Sequence, residues 1–446
     1  MLKRKIDNLL IDWKNSLNKK PLIVKGARQV GKTVSIHQFA EQHYKHVVEI
    51  NFALQSQYKG IFRDGYEVDT IVRNITLLNP ELVIEPGETL FFFDELQACP
   101  DCATSLKSFK IDGRYDVICS GSLMGVHYQQ IESNSVGYKE DIVMHSMDFE
   151  EFLWACGYND RLTEELFTHM LEVRPLSSLM MTRLTELFRQ YMVLGGMPEV
   201  VNTFVTQRHY SGTLSLQRQL LLDYEEDITK YAVGFEKAKV LAVYRHISTF
   251  LAQENKRFQV TKITQTARNR QYLGAVEWLD NAGIINVCYC LNNLLLPLKG
   301  NYDPKRYKVY YRDTGLLIAS LDEEAQEDLR MNQNFATYKG AIYENIVADM
   351  LVKQGYDLYY YRNDKASIEM DFFVRSANHL WPVEVKASNT ASSSLNKLTV
   401  NSRANQATDI KYGIKLCGAN IGFNGKFYTF PYFLTFLLKR WLREQD

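Results

Sequence analysis

The amino-acid sequence predicts an α/β protein: a doubly wound parallel sheet, then a helical segment, a helix-turn-helix and a smaller α/β domain. Three observations support this. Apolar runs at Leu22–Val24, His46–Ala53, Leu90–Phe93 and Tyr115–Ser120 alternate with helical periodicity, as buried parallel strands joined by crossover helices do. From about Arg161 to Tyr231 the pattern is helical, with glycine confined to Gly195, Gly196 and Gly212. Beyond residue 340 a helix, a set of strands and another helix follow one another. At 446 residues the chain exceeds one ordinary core. The expected domains are 1–160, 161–235, 236–305 and 306–446.

The first element is carried by PLIVKGARQVGKTVSIHQFAEQ, Pro21 to Gln42. Leu22, Ile23 and Val24 suit a buried strand, and Ile36, Phe39 and Ala40 recur at helical spacing. Between them Gly26, Ala27, Arg28, Gln29, Val30, Gly31, Lys32 and Thr33 fit GxxxxGK[ST]. Such a loop wraps backbone N–H groups round a phosphate, and the following helix N-terminus adds partial positive charge. These residues are expected to bind ATP, with Lys32 reaching the β- and γ-phosphates and Thr33 ligating Mg²⁺.

TLFFFDELQ supplies a second strand ending in Asp94 and Glu95. Asp94 is placed to hold Mg²⁺ and Glu95 to polarise the attacking water, which points to hydrolysis. YDVICSGSLMG ends a further strand at Ser120, Gly121 and Ser122. The Ser122 hydroxyl either sits beside the γ-phosphate or merely marks a strand-to-turn transition.

The order GARQVGKT, FFFDELQ, ICSGS, MDFEEFLWACG (Met147–Gly157), YMVLGGMPEV (Tyr191–Val200) resembles a group of bacterial and archaeal AAA-type ATPases. Their C-terminal portion is catalogued as a domain of unknown function. In that group the fourth element reads L-S-F-x-E-F; here Met147 and Asp148 replace the first two positions, while Phe149, Glu151 and Phe152 match. The resemblance implies an AAA-type P-loop NTPase domain, a helical lid over 161–235, and a site completed by an arginine of a neighbouring subunit in a homo-oligomer. Arg28, Arg114, Arg183 and Arg189 are all eligible.

In FQVTKITQTARNRQYLGAVEWLDNAGIINVCYCLNN a short helix at Lys262–Ala267, a break and a helix to Asp280 suggest a winged helix-turn-helix, with IINVCYC as the wing's first strand. Arg268, Asn269, Arg270, Gln271 and Tyr272 are types that meet phosphates or base edges. DNA and a protein surface are equally open as its partner. Lys299, Lys305, Arg306, Lys308 and Arg312 add positive charge beyond it.

In the last domain Glu344 lies on a helix, Asp371 on one strand, and Glu384 and Lys386 on the next, within WPVEVKAS. Alternation in a strand puts Glu384 and Lys386 on one face and Val383 and Val385 on the other. The order resembles the PD-(D/E)xK nuclease superfamily, a restriction-endonuclease-like fold, although Met370 stands where the motif name has proline. The resemblance implies Mg²⁺ held by Asp371 and Glu384, a transition state neutralised by Lys386, and a further ligand in Glu344. A relict salt cluster is the alternative.

Lys and Arg number 52 against 52 Asp and Glu, so any nucleic-acid contact must come from a local patch. No secretory or membrane-spanning pattern occurs, and a cytoplasmic location is expected. Seven cysteines without matching metal-ligand spacing read as reduced, buried thiols. The leading expectation is Mg²⁺-dependent ATP hydrolysis coupled to a winged helix and a nuclease-like domain acting on DNA. The alternative is a nucleotide-operated switch or scaffold for a protein partner, with an inactive nuclease fold.

Overall fold

A computed structural model describes residues 2–123, 135–232, 235–251, 271–321, 323–331, 333, 339–387, 391–400 and 410–446. They form two compact units, Met1–Ser146 and Met147–Asp446.

In the first unit five strands pair in parallel: β1 (Leu22–Gly26), β2 (His46–Asn51), β3 (Thr89–Asp94), β4 (Asp116–Ser122) and β5 (Glu140–Met144), in the order β2-β3-β4-β1-β5. Every residue of β3 is buried. Phe91 and Phe93 face one cluster with Val48, Ile50 and Phe109, while Leu90 and Phe92 face another with Leu22, Val24 and Ile36. A strand covered on both faces has no polar side, so TLFFFD shows no alternation. Because the strands are parallel, Gly26, Asn51, Asp94 and Ser122 end at one sheet edge, where ligands bind open α/β sheets.

The second unit opens with helices Phe149–Ala155, Asp160–Leu171, Ser178–Leu194, Pro198–Gln207, Thr213–Tyr231 and Phe235–Leu251. MDFEEF is a helix start. The Asp148 carboxylate accepts from Glu151 N, and Glu151 Oε2 accepts from Asp148 N, both at 2.9 Å, a reciprocal cap. Phe149 then packs on Phe188 and Tyr191, with ring centroids 5.3 and 5.5 Å away. Residues 147–160, expected with the first domain, therefore belong to the second unit, because their aromatic face is buried there.

The Gly195-Gly196 turn closes on the same helix start. Gly196 O accepts from Met147 N at 2.7 Å, and Gly196 N donates to Asp313 Oδ2 at 2.8 Å. A Cβ on Gly195, whose φ is +70°, would lie 2.0 Å from Asp313 Oδ1, and one on Gly196 would lie 2.0 Å from Met147 O. Glycine is required by contact here.

Two sheets complete the unit. One takes β6 (Ile285–Leu291), β7 (Tyr302–Tyr311), β8 (Leu358–Asn363) and β9 (Ile368–Met370), in the order β7-β6-β8-β9. The other takes β10 (Phe372–Arg375), β11 (Leu380–Val385), β12 (Gly413–Cys417), β13 (Gly422–Phe423) and β14 (Phe427–Pro431), in the order β10-β11-β12-β14-β13. Asp371 sits between β9 and β10, where the chain passes from one sheet to the other.

The β6–β7 hairpin matches the strand expected of a wing, but β6 also pairs in parallel with β8. Its side chains are buried almost throughout, so it needs a neighbour on each edge. The boundary expected at 305/306 falls inside β7. The described helix here is Leu273–Asn281; the expected helix at Lys262–Ala267 and the residues Arg268, Asn269 and Arg270 lie outside the described residues. All seven cysteines are free, and all but Cys156 are buried. Among the described residues no helix is long and apolar enough to cross a membrane.

Gly196→Ala is expected to cost about 2 kcal/mol or more, since overpacking a filled contact costs about 1–3 kcal/mol. Gly418→Ala, where an added Cβ meets nothing within 4 Å, is expected to change little. Urea denaturation of the two variants checks the contrast.

Candidate functional site

The sequence GARQVGKT forms the turn between β1 and the helix Lys32–His43. A Cβ on Gly26 would lie 2.4 Å from Met144 O of β5, so only glycine lets the loop leave the sheet here. Gln29 and Gly31 have φ of 63° and 95°, turning backbone N–H groups inward as an anion cradle does. Arg28 and Gln29 are exposed at the tip, while Ala27 and Val30 are buried beneath. Val30 O accepts from Arg4 Nη1 at 2.8 Å, and Arg4 Nη2 donates to His145 O at 2.8 Å. Arg4 thus braces the loop from below.

Lys32 folds back into the cradle, its Nζ donating to Ala27 O at 2.8 Å and Gly26 O at 3.2 Å. Burial lowers its pKa to about 8, against the opposing pull of Glu95 and Asp94. Asp94 is 3% exposed and is the centre of the site. Its Oδ2 accepts from Asn51 Nδ2 at 3.0 Å and from Thr33 Oγ1 at 3.2 Å. Its Oδ1 accepts from Glu95 N at 3.0 Å and from the Ser120 hydroxyl.

Glu95 has left-handed backbone, φ 57° and ψ 49°, which costs a non-glycine residue about 1 kcal/mol or more. Burial, with the Asp94 charge, raises its pKa, partly opposed by Lys32. Gln97 Nε2 donates to Glu95 Oε2. Ser122 pairs in register with Gly26, and its hydroxyl is buried without a hydrogen-bond partner. Sequence reasoning placed Lys32, Thr33, Asp94, Glu95 and Ser122 here, and the structure brings them together. It missed Arg4, Asn51 and Ser120. Asn51 ends an apolar run one strand over, the only signal that was available.

The second acidic cluster has a different character. Glu344, on the helix Lys339–Lys353, takes an ion pair from Lys308 of β7, Nζ to Oε1 at 2.9 Å, with both side chains 2% exposed. The Tyr310 hydroxyl donates to the same oxygen. Lys308 Nζ also lies 3.7 Å from Glu369. Burial pulls the Lys308 pKa down, but Glu344, Asp371 and Glu369 outweigh it and hold the amine protonated. Asp371 Oδ2 accepts from Val385 N at 2.8 Å. Glu384, buried at the end of β11, pairs with Lys386, Nζ to Oε1 at 3.0 Å.

Glu384 and Lys386 thus share a face, while Val383 is buried on the other. Among the described residues no group of three or more His, Cys, Asp and Glu side chains comes together as a metal site needs, and the Lys386 ammonium already holds one Glu384 oxygen, leaving Oε2 buried without a partner. In sequence Lys308 reads only as one of several basic residues that add positive charge.

Residues 18–153 match the AAA domain family, and this part of the chain is an AAA-type P-loop domain. Residues 185–327 match a domain of unknown function (DUF8612), and residues 339–433 match another (DUF4143). No curated protein matches the chain in sequence. Solved structures similar to the chain include the Walker-type ATPase of Pyrococcus abyssi, at 14% identity over 72% of this chain and 96% of that one, with a TM-score of 0.44. Others are the ORC1 protein of Aeropyrum pernix in complex with DNA, at 12% identity over 74% and 91%, TM-score 0.26, and AMPPCP-bound DnaA from Aquifex aeolicus, at 13% over 61% and 86%, TM-score 0.27. Likenesses at this level bear on neither the ligands nor the partners of this chain.

Lys308→Met is expected to destabilise the protein by about 3–5 kcal/mol, the cost of leaving one buried charge unpaired. Lys308→Met with Glu344→Leu is expected to recover at least half of that, read as urea midpoints. Wild-type melting temperature is expected to be the same in EDTA and in Mn²⁺.

Proposed function

We propose that the chain is an ATPase that binds Mg²⁺-ATP in the Gly26–Thr33 cradle and hydrolyses it. The convergence of Thr33, Asn51 and Ser120 on the Asp94 carboxylate carries this reading, because it supports Asp94 as a metal-holding group next to Glu95 and the glycine-bounded turn. Thr33 and Asp94 suit a divalent ion, a hydroxyl and a carboxylate in mutual contact; when bound, Mg²⁺ would neutralise charge on the phosphate oxygens. The backbone N–H groups of the cradle and the Lys32 ammonium, released from Gly26 O and Ala27 O, bind and orient the phosphates.

Glu95 accepts the proton of the attacking water, and the raised pKa suits that task. As the water oxygen bonds to the γ-phosphorus, the bond to the β–γ bridging oxygen breaks and ADP leaves. The unpartnered Ser122 hydroxyl, next to Gly26, donates to the developing phosphate.

Beyond the ATPase, the reading extends to a helical lid at 161–235 and to a winged-helix element and a nuclease-like α/β domain in the second unit, with DNA as the leading partner. The Lys308–Glu344 pair favours a fold that binds without cleaving, since it occupies Glu344, the further ligand that the nuclease resemblance implies. A switch or scaffold for a protein partner is the second reading, favoured by zero net charge. Homo-oligomerisation and a cytoplasmic location complete the proposal.

Lys32→Ala and Glu95→Gln are each expected to lower ATP turnover at least a hundredfold in folded protein, with Glu95→Gln retaining nucleotide. Undiminished phosphate release from both would overturn the assigned roles. Because the free amine titrates near pH 8, affinity for Mg²⁺-ATP analogue is expected to fall as pH rises from 7 to 9.5. Calorimetry should find that fall in the wild type and a flat profile in Lys32→Ala.

A further inference from the structure

Arg28 stands at the exposed tip of the cradle, between Gly26 and Gly31. An anion cradle works through its backbone N–H groups and needs no charged side chain at that position. An exposed arginine is ordinarily a solvated surface residue. The placement of this one gives it a part in the site.

Its side chain starts beside the bound phosphates. Lys32 Nζ lies 2.8 Å from Ala27 O, and that carbonyl belongs to the peptide bond leading into Arg28. Peptide geometry therefore holds the Arg28 Cα within about 6 Å of the ammonium. A side chain as long as arginine's can meet the phosphates that Lys32 meets. Its neighbours Ala27 and Val30 are buried in the core beneath the loop, while Arg28 is not. Electrostatics agree with this placement. Burial pushes the Lys32 amine down and the Glu95 carboxyl up, and the Arg28 charge lowers both. The guanidinium thus acts on the phosphate-binding lysine and on the carboxylate assigned to the attacking water.

The other arginines eligible for the site lie elsewhere. Arg114 donates to Asp112 and Asp69, and the seven-residue strand β4, roughly 20 Å long, separates it from the Ser122 end of the sheet. Arg183 and Arg189 belong to the helix Ser178–Leu194 of the second unit, and Arg183 is held by Tyr158 and Glu186.

We infer that Arg28 is a catalytic arginine acting in cis: it donates to the γ-phosphate held by its own loop, so that one chain completes its own site. As the water oxygen bonds to the γ-phosphorus, its proton passes to Glu95, and the bond to the β–γ bridging oxygen breaks to release ADP. Negative charge spreads over the phosphoryl oxygens during that exchange. A guanidinium stays protonated and offers a planar fork of donors to two such oxygens at once, where an ammonium offers a point charge. This role rests on the ATPase reading of the same site and deepens it, since turnover then does not wait on an arginine from a neighbouring subunit.

The full-length wild type, Arg28→Ala, Arg28→Lys and Glu95→Gln are compared in ATP turnover over a wide range of protein concentration. Calorimetry follows Mg²⁺-ADP with and without aluminium fluoride, a mimic of the transferring phosphoryl group. Arg28→Ala is expected to lower kcat about a thousandfold, with KM and ADP affinity within about twofold of wild type, which also shows that it folds. Arg28→Lys is expected to keep about a tenth of wild-type kcat or less. Aluminium fluoride is expected to tighten ADP binding in the wild type and not in Arg28→Ala. Wild-type specific activity is expected to be independent of concentration, and Arg28→Ala co-expressed with Glu95→Gln to stay inactive, since no chain then holds both groups. Turnover restored in that pair places the arginine in trans and overturns the inference. So does an Arg28→Ala that turns over like wild type while Glu95→Gln fails, a loss carried by KM and ADP affinity with kcat unchanged, or aluminium fluoride tightening that persists in Arg28→Ala. No turnover by any form, wild type included, overturns the ATPase reading itself and this role with it.

Discussion

A carboxylate at the end of a strand buried along its whole length must be satisfied by its neighbours. For Asp94 those neighbours fix the layout of the first unit. Asn51 reaches it from β2, Ser120 from β4, and Thr33 from the helix that follows β1. Only a parallel order with β3 flanked by β2 and β4 brings these groups to one edge. Glu95 follows in a left-handed turn, and its carboxylate accepts from Gln97. Fold and site are therefore one arrangement here: the contacts that solvate Asp94 without water also assemble the cradle's rear wall.

A second buried carboxylate does similar work in the other unit. Asp313 accepts from Gly196 N, Gly315 N and Leu316 N, tying the end of the long helix Ser178–Leu194 to the helix Thr314–Ala319. Met147 meets the same turn, and Lys353 Nζ adds a bond to Met147 O at 3.1 Å while pairing with Asp349 at 2.8 Å. The elements MDFEEF, LGGMPEV and YRDTGLL, separated by more than a hundred residues from first to last, close on one joint. Their glycines and carboxylates answer that crowding.

The parts of this molecule that were legible in sequence are those whose chemistry is local. Eight consecutive residues specify the cradle, because glycines, lysine and threonine act within a single turn. The strand ending in Asp94 and Glu95 was legible because uninterrupted burial leaves an unbroken apolar run. Asn51 and Ser120 were not, since each reads as an ordinary strand residue until register sets it opposite Asp94 or Val24. Lys308 reads in sequence only as positive charge, because nothing in a run of basic residues marks one of them as buried. Its partner Glu344 lies on a helix beyond the intervening strand end, and no local pattern announces a pair buried at both ends. The hairpin β6–β7 was found, yet its continuation into β8 depends on a pairing across some seventy residues that periodicity cannot report.

The two acidic sites show how little residue type decides alone. Each has a carboxylate pair and a lysine within reach, and the motifs suggest phosphate chemistry for both. In the first, hydroxyl, amide and backbone donors satisfy Asp94, while the lysine rests on carbonyl oxygens from which an anionic phosphate can draw it. In the second, Lys308 is committed to Glu344 with both groups out of water, while Lys386, the lysine of the motif, is partly exposed and pairs with Glu384. The first arrangement leaves its lysine on neutral carbonyl oxygens; the second pairs its lysines with carboxylates, although Glu384 Oε2 stays buried without a partner. What separates the two clusters is thus the partner each lysine holds at rest: backbone carbonyls for Lys32, carboxylates for Lys308 and Lys386.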